Sequence, residues 1–590
     1  MLEFRIYRAS FMPALGAVVV LLFALQGRPA PLTTVVAPAQ FDQAAAAEVA
    51  RRIVDVASQR TPGSPGDARI ANLVERRFQA VREGEVAEQR FASDDGELRN
   101  LVLTLPGESP RIVAVLAARD SSSGPGAASS AAATATLLGL ANQLAATRHT
   151  KTLLFVSTDG ASDGASGARK FADYFPQRGL IDGAIVLSQP GSSNPRQPFL
   201  VDTSAGPQSP SAQLVRTAER VLLGQTGDRQ EEAGLFGELA RLALPSGVGE
   251  QAVLIPRGID AVGLSSAGER PLAPSDDQPE DLSPAALGDI GRTALLLVAT
   301  LDDSSAPPQH GPATYLEVGE NLVPAWTLAL LALCLLLPAG LASLDGLRRA
   351  PRARLGRALA WSTSRAAPLF CALLLLYLLA VLGIVARPAF PFDPNRFPVG
   401  VGETIAMMLL ALLALAGYYA LRGWRVPAAL PATAAATALG LVATVAVLIA
   451  WLTNPYLGLL LVPAAHVWLL AARARGAPPW RLVLLVAALA LLPLAAAVTN
   501  LAGRLALGAA APWELLLMVA DGQIPFGAMA ATCLLIGSLI GTVALGARSR
   551  GELDRSRSRS GAQVTIFHGN DAAVGPRRAL NDGADRSRRR

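Results

Sequence analysis

The 590-residue chain is poor in cysteine (three), histidine (four) and lysine (two, Lys151 and Lys170), and only 5% of it is aromatic. The scarcity of cysteine excludes a disulfide-stapled scaffold. Cys334, Cys371 and Cys533 all lie in long apolar runs and leave the rest of the chain without a thiol to pair. Charge is scarce too, at 17% of residues, where a soluble protein carries about a quarter. With 51% hydrophobic residues and a mean hydropathy of +0.36, the composition excludes disorder and points to a membrane. The net charge of +6 is a difference between two provinces. Residues 30–320 hold 24 Lys and Arg against 35 Asp and Glu, and the remainder holds 28 against 11. The surplus arginines therefore describe where segments sit, and no nucleic-acid partner is expected.

The apolar runs are 11–25, 323–344, 367–385, 405–421, 428–452, 456–472, 482–501 and 526–545. About 20 apolar residues cross a bilayer, so these read as eight spans and the lipid bilayer is the first expected partner. The first run follows Arg5 and Arg8 and exits through Ala24-Leu25-Gln26-Gly27-Arg28-Pro29, with no small-x-small cleavage site. Residues 1–29 accordingly read as a retained signal anchor. The piece 513–520 is too short to cross and reads as interfacial or re-entrant. Arginines crowd alternate loops: Arg348, Arg349, Arg352, Arg354, Arg357 and Arg365, then Arg422 and Arg425, then Arg473, Arg475 and Arg481. The loops between them, 386–404 and 453–455, are nearly neutral. The positive-inside rule then puts both termini in the cytoplasm and residues 30–320 outside a cell membrane.

The expected domains are the anchor (1–29), an exported domain (30–310), a multi-span region of about seven helices (322–546) and a disordered basic tail (547–590). The tail carries Arg555, Arg557, Arg559 and Arg586, and anionic lipid headgroups are its expected contact. Within the spans, His466 and Asn500 are the main polar residues. Without paired carboxylates or a mid-depth arginine, an ion-coupled transporter is not supported.

The exported domain alternates helix and strand patterns, which predicts an α/β fold on a mostly parallel sheet. Segments 41–58 and 67–81 have helical apolar spacing, 85–91 and 100–105 alternate, and 111–117 and 152–157 are continuous apolar runs, the mark of strands buried on both faces. Further helices are expected at 129–145, 165–174, 212–223 and 286–301, with a strand at 183–187.

The strand ends carry a series of short motifs. They read Leu116-Ala117-Ala118-Arg119-Asp120, Gly126-Ala127-Ala128-Ser129-Ser130, Phe155-Val156-Ser157-Thr158-Asp159-Gly160-Ala161-Ser162, Leu187-Ser188-Gln189-Pro190-Gly191, Gly258-Ile259-Asp260-Ala261 and Asp277-Gln278-Pro279-Glu280-Asp281. In order and wording this series resembles the zinc aminopeptidase family (peptidase family M28), over about residues 40–300. The combination with an anchor and several spans resembles the family's endoplasmic-reticulum membrane members. The resemblance implies a two-zinc centre held by histidines and carboxylates. Position by position, the metal ligands fall on Ala118, Ser129, Ser162, Ser188 and Ala273, and the general base on Ala161. None of these side chains supplies the nitrogen or anionic oxygen that zinc takes.

The neighbours that support such a site, Asp120 and Asp159, are retained. The exported domain has only His149 and His310, neither with a second ligand at useful spacing. The expectation is therefore no cofactor and no metal, and a non-catalytic domain that binds or presents a peptide or protein ligand. The alternative is an active membrane-bound metallo-aminopeptidase or hydrolase of the same family, carrying zinc. A second chemistry rests on Gly160-Ala161-Ser162-Asp163-Gly164, which matches the Gly-x-Ser-x-Gly of a serine nucleophile. It needs a histidine base, and His149 precedes the strand whose far end leads to Ser162. The acids Asp276, Asp277, Glu280 and Asp281 are expected to cap the last helix of the domain.

Overall fold

The computed structural model describes residues 4–33, 40–93, 96–122, 124–193, 198–227, 230, 233–349, 352–391, 393–420, 430–472 and 479–566. A short helix (Phe4–Ala9) leads into an apolar helix, α1 (Met12–Phe23), and a two-residue strand, β1 (Gln26–Gly27). The α/β domain follows. Helix α2 (Gln43–Val56) begins where the Asp42 side chain accepts a hydrogen bond from the Ala45 amide. Helix α3 (Pro65–Gln79) begins at Ser64, which does the same for Asp67, with proline in its first turn.

Strands β2 (Glu85–Ser93), β3 (Gly96–Leu105) and β4 (Ser109–Ala118) lead to helix α4 (Ala132–Leu144), strand β5 (Lys151–Thr158), helix α5 (Ser166–Tyr174) and strand β6 (Ile181–Gln189). Strand β7 (Phe199–Val201), helices α6 (Ala212–Thr226) and α7 (Leu235–Ala243), strand β8 (Ala261–Ser265) and helix α8 (Pro284–Asp303) complete the domain.

The seven strands β2 to β8 form one sheet in the order β2-β3-β5-β4-β6-β8-β7. Only β5/β4, β4/β6 and β6/β8 pair in parallel; β2/β3, β3/β5 and β7/β8 are antiparallel. The sheet is therefore mixed rather than mostly parallel. Two residues separate β2 from β3, a connection that only an antiparallel hairpin can make. The continuous apolar runs are explained by burial on both faces. Val113, Val115 and Ala117 of β4 join Leu153 and Phe155 of β5 against α2, α3, α4 and α8, while Ile112, Ala114 and Leu116 join Leu154 and Val156 against α5.

A hairpin, β9 (Tyr315–Val318) and β10 (Asn321–Pro324), pairs with β1 and hands the chain to the helical half. Its helices are α9 (Ala325–Arg349), α10 (Arg352–Ser364), α11 (Ala367–Val381), α12 (Val401–Ala420), α13 (Ala432–Thr453), α14 (Pro455–Leu461), α15 (Trp480–Arg504), α16 (Ala511–Asp521) and α17 (Phe526–Ile566). Residues Val462–Leu470 continue α14 as a tighter 3-10 helix behind Pro463.

Among the described residues, six helices are long and apolar enough to cross a membrane by length and composition. One of them, α8, belongs to the α/β domain, where Leu287, Ile290, Leu297 and Leu301 are buried in its core. The other five are α9, α12, α13, α15 and the first part of α17, and α10 with α11 makes one more across a 48° bend. The last helix runs on to Ile566, past the expected start of the tail at 547, while Arg586 and residues 567–590 lie outside the described residues. Arg422, Arg425, Arg473 and Arg475 of the basic loops also lie outside them.

The two halves are tied by polar contacts. Asn454 donates to the Leu242 and Ala243 carbonyls, Gln523 to those of Ala205 and Pro245, and Arg504 pairs with Glu269 at 3.0 Å.

Candidate functional site

Adjacent parallel strands with their helices on opposite faces leave a crevice at their carboxyl ends. Here β4, β5 and β6 open such a crevice. Ala118, Asp120, Ser129, Ala161, Ser162 and Ser188 all line one cleft of about 150 Å³. Ala273 instead lines a neighbouring cavity of about 870 Å³, which shares the wall of Gly268, Glu269, Pro271 and Leu272. Asp159 sits behind the cleft, almost wholly buried.

The carboxylates of the cleft are engaged by the protein itself. Asp120 accepts from the Ala161 amide (2.9 Å), the Ser162 amide (3.1 Å) and the Ser162 hydroxyl (3.0 Å). Asp277 accepts from the Ala128 amide (2.7 Å), the Ser129 amide (3.0 Å) and the Ser129 hydroxyl. Two of the expected ligand positions, Ser129 and Ser162, are thus donors into carboxylates rather than free acceptors. Burial raises the carboxyls of Asp120 and Asp277 above the ordinary range, against the pull of these hydrogen bonds. Glu250, beside the Thr158 hydroxyl, also lines the cleft, and burial pushes it up to about 7. Among the described residues, no three His, Cys, Asp or Glu side chains converge as a metal ion would need. The residues present do not fit a zinc centre.

Asp277 therefore does not cap the last helix of the domain, as its position suggested. It turns away to the amides of 128 and 129, and Ser283 caps α8 by accepting from Ala286. Asp281 closes a capping box on the short turn Pro279–Asp281.

The site also depends on two buried arginines that no motif announces. Arg60 donates to the carbonyls of Ala57 (2.8 Å), Arg119 (3.1 Å) and Pro125 (2.8 Å) and to the Ser130 hydroxyl (2.8 Å), fixing the 119–130 rim. Burial lowers its guanidinium to about 10, opposed by Asp277, Asp120 and Asp67. Arg119 pairs with Asp67 at 3.0 Å and Asp159 at 2.8 Å under the floor of the cleft. The available signal was a lone arginine inside an alanine-rich strand end, which has to find partners if it is buried.

The serine-nucleophile reading loses its base. His149 precedes β5, bonded to Asp302 (3.1 Å) and the Leu144 carbonyl (2.7 Å), while Ser162 follows the other end of that strand. The eight residues of β5 alone separate them by roughly 25 Å at ~3.3 Å per residue. His310 pairs with Asp260, also away from the cleft. Neither the parent protein nor Ser162→Ala is expected to label with a fluorophosphonate; labelling of the parent that the substitution abolishes would restore the serine reading.

The mixed sheet, with its crevice at the carboxyl ends of β4, β5 and β6, defines an aminopeptidase-like α/β domain. Residues 100–298 match the model described as Peptidase family M28. Among solved structures, BSAP, a zinc aminopeptidase from Bacillus subtilis, is 13% identical, with 47% of this chain and 98% of that chain covered and a TM-score of 0.39. A glutaminyl cyclase from an Acidobacteriales bacterium is 18% identical (46% and 98% covered, TM-score 0.36). One from Fimbriiglobus ruber is 16% identical (46% and 99%, TM-score 0.37). No curated protein matches the chain.

Proposed function

We propose that this is a multi-pass membrane protein whose M28-type domain faces outward and binds a peptide or protein ligand without cutting it. One observation carries the reading. The cleft is built from the expected ligand and base positions, yet these are Ala118, Ser129, Ala161, Ser162 and Ser188, and its carboxylates Asp120 and Asp277 are tied to amides and hydroxyls. Water activation by zinc requires histidines and free carboxylates around an open coordination position. None of those positions offers one.

The membrane part rests on the apolar helices and on arginines gathered in alternate loops. On that count both termini are cytoplasmic and residues 30–320 extracytoplasmic. The N-terminal helix as a retained anchor is supported by its packing on α9 and by the pairing of Gln26 and Gly27 with Leu322 and Asn321. Cleavage after these residues would strip an edge from the junction sheet.

The test is metal analysis of the purified full-length protein after incubation with zinc, together with an assay on aminoacyl substrates. The expected result is less than about 0.1 zinc per chain and no hydrolysis above buffer. One or two zinc ions per chain with turnover would replace this reading with the active metallo-aminopeptidase.

A further inference from the structure

One wall of the cleft comes from the helical half. The connection between α11 and α12 leaves the helical half and lies across the cleft. Asp393 and Pro391 form part of the wall, and the Ser122 hydroxyl donates to Asp393 at 2.5 Å. Asn395 donates to the carbonyls of Pro271 (3.2 Å) and Leu272 (3.0 Å), and Arg396 to that of Ser162 (3.3 Å). Arg169 of α5 donates to the Phe390 carbonyl. Ala389 comes so near Gly164 that a side chain there would lie 2.6 Å from its methyl group. Asp393 also accepts from the Asn395 amide at 2.8 Å, so the turn Pro394–Arg396 is preformed. Under this cover the cleft holds about 150 Å³. The neighbouring cavity holds about 870 Å³, so the space beside this connection is the narrower of the two.

Helix α12, on one side of this connection, is the least buried of the described apolar helices. Helix α12 packs chiefly on α11, and Met408, Leu409, Leu412 and Leu415 stand exposed along it. Helix α11 meets α10 at the 48° bend after Ser364. The contacts on the cleft are mainly hydrogen bonds, which water can replace on release.

We infer that residues 389–391 and 393–396 form a strap that narrows the cleft from the membrane side, and that the α11–α12 hairpin shifts to admit a ligand. The binding role itself rests on the reading above; the strap does not require the domain to be catalytically inert. It links events in the membrane to access at the outer domain, since a lipid or helix that draws α12 away draws the strap with it.

The experiment is cysteine accessibility in the full-length protein, with the three native cysteines replaced by alanine and Ala161→Cys introduced in the cleft. A bulky maleimide should label this cysteine at least tenfold more slowly than an exposed reference, Glu48→Cys. Adding Asn395→Ala should raise the rate about tenfold, and adding Asp393→Ala as well should raise it further. The single Asn395→Ala variant keeps the test open if the double variant does not fold. Labelling of Ala161→Cys at the reference rate in the otherwise intact protein, or no acceleration in the folded single variant, would overturn the strap. Because the readout involves neither zinc nor turnover, a strap over an active enzyme and an inert domain without a strap give different results.

Discussion

Replacing Arg119 with alanine is expected to cost the α/β domain about 3–5 kcal/mol, the range for stripping one partner from a buried ion network. Arg119 is fully buried, and its guanidinium reaches Asp67 (3.0 Å), Asp159 (2.8 Å), the Arg99 carbonyl (2.6 Å) and the Ser157 carbonyl (3.3 Å). Without it two carboxyls remain enclosed with no cation between them. Both are already raised by burial even with the guanidinium in place. A carboxyl whose folded pKa lies above its unfolded value stabilises fully below the unfolded pKa and loses that contribution as pH rises through the folded one. The deficit of Arg119→Ala should therefore be small near pH 4 and grow toward neutrality. Urea unfolding followed from pH 4 to 8 checks both size and slope. A deficit under 1 kcal/mol at pH 7, or one that shrinks as pH rises, would mean the network is not closed as described. Arg119→Lys keeps the charge but not the planar fork and should recover only part of the loss.

The elements most legible in the sequence were those fixed by local periodicity. Runs 111–117 and 152–157 became the central strands β4 and β5 because both faces of each are buried. Capped helices such as α3 and α6 begin at Ser64 and Ser211, within a few residues of the spacing-based bounds. The strand order was not legible, and β7, three residues long, carries too little pattern to announce itself.

The cleft divides along the same line. Positions 118, 120, 129, 161, 162 and 188 converge because each lies at or just past the end of a strand or opens the next helix, which motif order already implies. What narrows the cleft depends on contacts with no local trace. Ser122 and Asp393 are 271 residues apart, and a neutral loop between two spans reads only as a connection. Asp277 was misassigned for a related reason. An acid before a helix has two kinds of amide within reach, those of its own helix and those of a distant turn, and spacing cannot choose between them.

The second large effect lies at the opposite edge of the sheet, and it gives a purpose to one of the two lysines. Lys151 opens β5, 3% exposed, with its ammonium 2.8 Å from Asp182 of β6 and 2.8 Å from the Ser304 hydroxyl. Arg111 of β4 reaches the same carboxylate, so Asp182 joins three adjacent strands at their entry ends. Asp182→Ala is expected to destabilise by about 3–5 kcal/mol, because a hydroxyl alone is left facing an enclosed ammonium. Asp182→Asn, which retains an acceptor of the same shape, should cost less.

Urea unfolding of the parent, Asp182→Ala and Asp182→Asn at neutral pH checks both size and order, and a deficit under about 1 kcal/mol for the alanine variant would mean that this network is drawn wrongly. The cleft supplies a second readout. The entry ends of β4, β5 and β6 are a full strand away from Ala161, so Asp182→Asn should leave the maleimide labelling of Ala161→Cys unchanged while lowering the unfolding midpoint. A faster rate in that variant would show that strap closure and sheet stability are coupled, and the hairpin would then be part of the core rather than a movable cover.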